Sequence, residues 1–176
     1  MKDRTNNNIS KQNFNSAISI SKRILILDSP DSLKLIGDSV ELPPFEIEVN
    51  LSAKAEEKLK VNNETIIVSA AFTGIPKDTT SKDYLQWGEI AIAHSEIELK
   101  NNRIAKFQNV KFSKARYNSL ANKDIDLLIN IFSGRRSTNV NLLDCDILQD
   151  KMSNVKEKKF TLKGKLIGES GSFNFN

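Results

Sequence analysis

Several short stretches of the chain alternate apolar and polar residues, which is the pattern of half-buried β-strands. The alternation is regular over residues 45–51, returns over 65–73 and appears again over 160–166. Each stretch predicts a strand with one face in a core and the other in water. Two shorter apolar runs, 24–27 and 33–36, predict one or two further strands.

Residues 126–133 are apolar at both odd and even positions. A strand with no polar face is typical of the middle of a sheet that is covered on both sides. We therefore expect this segment to be a central strand with both faces buried.

The segments 88–99 and 103–112 flank Lys100-Asn101-Asn102. Asn accepts the positive φ angles of a tight turn, so this arrangement predicts a β-hairpin. In both arms the apolar residues change from one parity to the other partway along. One extra residue near His94-Ser95 and one near Gln108-Asn109 would restore a single apolar face, which predicts two β-bulges.

Helical signals are short. Ser52 is the predicted N-cap of a helix that ends at Asn62-Asn63, and Ser113 is the predicted N-cap of a helix within 113–123. Residues 146–154 predict one more helical turn. Together the patterns predict an all-β fold: a single antiparallel β-sandwich of about seven or eight strands with two or three short helices in the crossovers. A barrel is the second choice.

The length of 176 residues and a hydrophobic content of 39% fit one globular domain. Residues 1–22 are polar and Asn-rich, which predicts a flexible N-terminal arm. The sandwich is expected over 23–169, followed by a disordered tail over 170–176.

One Cys and one His exclude an internal disulfide and a four-ligand zinc site of the Cys/His type. No apolar stretch approaches the roughly 20 residues that span a bilayer, and no secretory signal core is present. As written, the chain is expected in the cytoplasm. The alternative is a periplasmic or extracellular mature domain to which Met1 was added in cloning.

The net charge of +4 is the remainder of two opposed segments. Residues 100–123 carry +7 with no acid, whereas residues 24–50 carry −5. This distribution predicts a dipolar domain. It also suggests a surface for a polyanion, nucleic acid or anionic lipid, although a merely solvated strand face gives the same pattern. The basic candidates are Lys106, Lys111, Lys114 and Arg116.

Two further features suggest contacts with a partner. Arg135-Arg136 follows the predicted central strand, and guanidinium groups pair bidentately with carboxylate or phosphate. Trp87 precedes the predicted hairpin and is either an aromatic contact for a partner or the residue that closes one end of the core.

Catalytic candidates are few. His94, Glu96 and Glu98 alternate along a strand and could present one imidazole and two carboxylates to a divalent metal, but this set is incomplete. Cys145 stands between Asp144 and Asp146, whose charges raise the pKa of a thiol, so a reactive nucleophile is not expected there.

The sequence therefore predicts a non-enzymatic β-sandwich module that binds another protein, as a component of a bacterial envelope or secretion-type assembly, with no cofactor and no metal. The first alternative is polyanion or anionic-lipid binding through residues 100–123. The second alternative is a metal-assisted hydrolase at His94, Glu96 and Glu98. The predicted partner-binding residues are Arg135, Arg136, Trp87, Lys106, Lys111, Lys114 and Arg116.

Overall fold

The structure, a computed structural model, describes residues 33–170 and the backbone of Ile24–Ile26. The predicted arm over 1–22 and residues 171–176 of the predicted tail lie outside the described residues. The described part contains twelve strands and four short helices. In chain order these are β1 (Ile24–Ile26), β2 (Lys34–Ile36), β3 (Ser39–Glu41), β4 (Phe45–Leu51), α1 (Ala53–Val61), β5 (Ile66–Gly74), α2 (Lys82–Trp87), β6 (Ile90–Leu99), β7 (Ile104–Phe107), β8 (Lys111–Ser113), α3 (Lys114–Ser119), β9 (Asp126–Ser133), β10 (Leu143–Cys145), β11 (Leu148–Lys151), α4 (Met152–Val155) and β12 (Lys159–Leu166).

Two four-stranded sheets face each other, with strand orders β10-β12-β4-β7 and β11-β9-β5-β6. Phe45 of the first sheet meets Phe72 of the second edge-to-face, with 6.3 Å between ring centroids, and stacks on Phe107 at 4.8 Å. The alternating residues of both inner faces form the shared core. The predicted β-sandwich is confirmed, and within the described part the sheets do not close into a barrel. Among the described strands, all pairs are antiparallel except β4 with β12.

A third sheet, with strand order β1-β2-β3-β8, was not predicted. Val40 of β3 lies opposite Phe112 of β8, and both side chains are buried in the same core as the sandwich. The backbone N–H of Leu42 donates to the carbonyl of Val110 at 2.9 Å, which ties the chain together just beyond these strands.

The predicted hairpin is wrong, because β6 and β7 belong to different sheets and do not pair. The chain crosses from one layer of the sandwich to the other between them. Arg103 stabilises this corner, because its Nη1 donates hydrogen bonds to the carbonyls of Lys100 (3.1 Å) and Asn102 (3.3 Å). Both arms bury one apolar face, but they bury it from opposite layers, and this is why alternation alone could not distinguish a corner from a hairpin.

The apolar side chains change parity in both arms, as predicted. Neither change, however, is produced by a β-bulge at the predicted residues. In β6 the register shifts where Ala93 and Ala91 lie opposite Phe72 and Thr73, so Ile92 is the extra residue of a bulge. The bulge is therefore not at His94-Ser95. At Gln108-Asn109 there is no bulge: Asn109 has a φ of 59° and lies between β7 and β8, where the chain leaves one sheet for another.

β9 is an interior strand, as predicted, but only one of its faces is covered. Leu127, Ile129 and Ile131 are buried, whereas Leu128 is 41% exposed and Asn130 is also exposed. The prediction of burial on both sides is wrong, since Leu128 and Asn130 face solvent.

The capped helices are confirmed at their N-termini. The hydroxyl oxygen of Ser52 accepts from the N–H of Ala55 (3.1 Å), and that of Ser113 accepts from the N–H of Arg116 (3.2 Å). Residues 146–154 instead contain β11 and the first part of the single-turn helix α4. The helix α2 was not predicted. Within the described residues, no helix is long and apolar enough to cross a membrane.

Candidate interaction surfaces and a cleft beside α1

Two of the predicted basic contact residues are paired with acids on neighbouring strands. Lys106 Nζ is 3.1 Å from Glu46 Oε1, and Lys111 Nζ is 3.1 Å from Glu41 Oε2. These pairs form because β7 lies beside β4 and β8 lies beside β3. The acidic and basic segments are therefore neighbours at these positions, and the predicted separation of their charges is wrong there.

The pairing extends across the solvent side of the first sheet. Lys159 on β12 lies 3.0 Å from Glu48 on β4, and Thr161 donates to the same carboxylate at 3.2 Å. Lys163 follows two residues later on the same face of β12. We call this solvent side of β7, β4 and β12 the charged face. Its alternating signs leave no continuous strip of one charge.

Arg116 lies against one end of β6, the strand that follows Trp87, and Lys114 lies two residues before it in α3. The guanidinium of Arg116 donates through Nη1 to the carbonyl of Ala91, near the start of the strand and four residues after Trp87. Lys114 begins α3 and has no ion pair in the described part of the chain. The contact of Arg116 with Ala91 therefore connects the helix that carries Lys114 and Arg116 to the strand that follows Trp87.

The side chain of Trp87 does not close the core, contrary to one of the two expectations. Trp87 is 71% exposed and Leu85 is 74% exposed, and no residue of α2 is buried. Local signals define the helix instead: Ser81 Oγ accepts from the N–H of Tyr84 at 3.3 Å, and Gly88 ends the helix with a φ of 75°.

The segment before α2 joins the same surface. The N–H of Ala121 donates to the carbonyl of Ile75 at 2.8 Å, and the N–H of Lys77 donates to Ser119 at 2.7 Å, so this segment runs beside the residues that follow α3. Ile75 is 44% exposed. We define the α2 surface as Ile75, Leu85, Trp87, Lys114 and Arg116.

The two loop arginines lie toward the other end of β6. Arg136 donates through Nε and Nη2 to the two carboxylate oxygens of Glu98, both at 2.9 Å. The guanidinium of Arg135 lies 5.8 Å from the ring centroid of Phe132, on the outer side of β9. Each arginine therefore has a defined contact within the chain.

The loop that carries these arginines is fixed by Glu64. This carboxylate is only 6% exposed and accepts from the backbone N–H groups of Thr65, Arg136 and Ser137 at 2.9 Å and from the Ser137 hydroxyl at 2.7 Å. Burial by itself would raise the pKa of Glu64, but these hydrogen bonds outweigh it and lower the pKa to about 2. At position 134 a Cβ would overlap Oγ1 of Thr65, so the loop requires glycine there.

Glu98 is also held in its ionised form. The hydrogen bonds from Arg136 and from the Thr65 hydroxyl (2.8 Å) lower the pKa of Glu98 to about 2. A carboxylate with such a pKa is a poor proton donor at neutral pH.

The three predicted metal ligands do not converge. His94 Nε2 lies 2.8 Å from Ser69 Oγ and 3.6 Å from Glu96 Oε1, on the exposed side of β6. Glu98 instead forms an ion pair with Arg136. Among the residues that the structure describes, no group of three or more His, Cys, Asp and Glu side chains is placed to hold a metal ion.

Cys145 is half-buried beside Gly164, where a Cβ would lie 2.5 Å from its Sγ. Burial raises the pKa of the Cys145 thiol to about 12, with smaller contributions from Asp144 and Asp146. The expected effect of the two carboxylates is present, but the larger cause was not visible in the sequence.

A cleft of about 800 Å³ opens between α1, the corner after β6 and the arginine loop. We call it the α1 cleft. No sequence pattern indicated this cleft, because its walls come from three separate segments that meet only in the fold. Arg136 was the only lining residue predicted as a partner contact. The lining residues are Glu56, Glu57, Leu59, Lys60, Asn63, Glu64, Thr65, Glu98, Lys100, Asn101, Arg103 and Arg136.

No protein-family model, curated protein or solved structure matches this chain.

Proposed function

We propose that the chain is a non-enzymatic module that binds another protein through the α2 surface. The observation that carries this proposal is the exposure of Leu85 and Trp87 on a helix without a single buried residue. Helices in proteins gain most of their stability by packing an apolar face. Here both large apolar side chains extend into water from different sides of the helix, as expected of separate anchors that insert into a partner.

The composition of the α2 surface supports a protein partner. Trp and Arg are enriched among the residues that contribute most of the energy of protein interfaces. Trp87 supplies a large apolar anchor, and Arg116 and Lys114 place positive charge at the same end of the domain. A complementary partner would offer an apolar pocket with carboxylates at its rim.

The state of the candidate reactive groups supports a binding role over catalysis. Glu64 and Glu98 are stabilised as carboxylates by several donors, and their pKa values of about 2 favour structural roles. Burial and the neighbouring carboxylates likewise keep the pKa of the Cys145 thiol high.

Polyanion binding through residues 100–123 would require basic side chains that are available to phosphates. Lys106, Lys111 and Arg103 instead pair with glutamates on adjacent elements. This arrangement favours the protein-binding proposal.

The proposal can be tested by photo-cross-linking in cells of the native organism. The photoreactive amino acid p-benzoylphenylalanine replaces Leu85 in one variant and Lys163 on the charged face in a matched control. We expect a discrete cross-linked species from position 85 that is lost when Trp87→Ala is added. The same species from both positions, or none from position 85, would contradict the proposal.

A further inference from the structure

We propose that the α1 cleft binds a small organic anion that carries a phosphate or carboxylate group. This site is separate from the α2 surface, because it lies around Glu98 whereas the α2 surface lies around Ala91, toward the opposite end of β6. The two proposals can therefore fail independently.

The dimensions of the cleft suit a small molecule. Its volume of about 800 Å³ is within the range of roughly 300–1,000 Å³ that is usual for ligand pockets. A single inorganic phosphate would leave most of this space unfilled. Leu59 and Thr65 reach the lining but are almost fully buried, so an organic portion of the ligand would pack mainly on the aliphatic stems of the exposed lining side chains.

Three of the four carboxylates in the lining are occupied by donors from the chain itself. Glu56 receives two hydrogen bonds from Arg103, at 2.8 and 2.6 Å, and Glu98 receives two from Arg136. Glu64 receives its hydrogen bonds from the arginine loop and from Thr65. Arg103 and Arg136 neutralise the charges of Glu56 and Glu98, whereas Glu64 is stabilised by neutral donors and keeps its negative charge.

The groups that remain are mainly donors. Lys60 and Lys100 have no ion pair or hydrogen bond through their ammonium groups in the described part of the chain, and Arg136 Nη1 is likewise unoccupied there. The side-chain amides of Asn63 and Asn101 are also available.

These donors come from separate elements. Lys60 belongs to α1, Lys100 follows β6, and Arg136 belongs to the loop after β9. Hydrogen bonds between charged donors and phosphate or carboxylate oxygens are among the strongest in proteins. Because the arginine loop and the corner after β6 are fixed before binding, the ordering cost falls mainly on the exposed side chains of Lys60 and Lys100. Within the described part of the chain, Glu57 is the one lining carboxylate without a partner, and it disfavours an anion of high charge density along its side.

The test is a titration followed by amide NMR shifts of the full chain at constant ionic strength. The probes are citrate as the carboxylate ligand, glucose 6-phosphate as the phosphate ligand and glucose as the neutral control. We expect saturable shifts from at least one anion and none from glucose. The shifts should centre on Lys60, Asn63, Lys100, Asn101 and Arg136. Saturation by one anion alone would identify the group that the cleft prefers.

Two double variants distinguish specific binding in the α1 cleft from non-specific attraction of an anion by surface lysines. Lys60→Gln with Lys100→Gln should weaken binding by at least about tenfold, since each removed ammonium group would donate a charge-assisted hydrogen bond to the anion. Lys77→Gln with Lys82→Gln removes the same charge from the other end of the domain and should leave the affinity unchanged. Equal losses in both variants, or no saturable shift with either anion, would overturn the proposal. Trp87→Ala should have no effect on anion binding.

Discussion

Lys106 on β7 lies directly opposite Glu46 on β4, and its ammonium nitrogen is 3.1 Å from the Glu46 carboxylate. Exposed pairs of this kind contribute only about 0.2–1 kcal/mol each to stability. Their main consequence is for the surface charge, because each pair cancels a positive charge that would otherwise attract polyanions.

Charge reversal tests this pair. Lys106→Glu places two carboxylates opposite each other and should lower the free energy of unfolding by up to about 1 kcal/mol, because like charges across strands repel. Adding Glu46→Lys restores opposite charges, so the double variant should recover most of the loss. Urea denaturation of the four proteins at low salt measures the coupling. Strict additivity of the two single effects would contradict the pairing.

Gly134 is expected to be intolerant of a side chain. Gly134→Ala should destabilise the fold by about 1–3 kcal/mol, since its Cβ would overlap the hydroxyl of Thr65. Combining it with Thr65→Ala removes the overlapping oxygen. The double variant should therefore be more stable than the sum of the single losses predicts. A Gly134→Ala protein with unchanged stability would contradict the described loop contact.

Glu64 makes stability depend on acid pH. The pKa of Glu64 falls from 4.5 to about 2 on folding. The contribution of Glu64 to the free energy of unfolding is therefore complete above about pH 4.5 and is lost as the pH decreases toward 2. Glu64→Gln should lower stability at neutral pH by about 1–3 kcal/mol, because an amide cannot accept from all of these donors. It should also flatten the decline between pH 4.5 and 2. Thermal unfolding at a series of pH values measures both effects, and a variant with the same pH profile as the parent chain would contradict them.

Cys145 should react slowly with thiol reagents in the folded chain. Its thiol is half-buried with a pKa of about 12, so very little thiolate is present at pH 8. Labelling with 5,5′-dithiobis(2-nitrobenzoic acid) should become fast only after denaturant is added. Equal rates for the folded and unfolded protein would show that the thiol is not protected.

The sequence predicted the parts of the fold that depend on local alternation and capping. β4, β5 and β12 follow the period of two, and Ser52 and Ser113 cap their helices as expected. The hairpin prediction failed because residues 100–103 form a corner between layers, and alternation along one strand does not specify which sheet the next strand joins.

The candidate sites were less predictable for the same reason. The exposure of Trp87 depends on α2 standing outside the core, although Ser81 and Gly88 were usable signals for that helix. The contact between Arg136 and Glu98 joins residues 38 positions apart, and no periodicity indicates it. The neutralisation of Lys106 likewise depends on which strand lies beside β7.

The central claim is that the α2 surface binds a protein partner, and the fluorescence of Trp87 tests it most directly. Trp87 is the only tryptophan in the chain, so its emission reports on this surface alone. We expect the free protein to emit as a water-exposed indole that acrylamide quenches readily. A tryptophan-free form of the partner identified by cross-linking should shift the emission to the blue and reduce quenching, with saturation at an equimolar ratio. A partner that binds while the emission and quenching of Trp87 stay unchanged would contradict the claim.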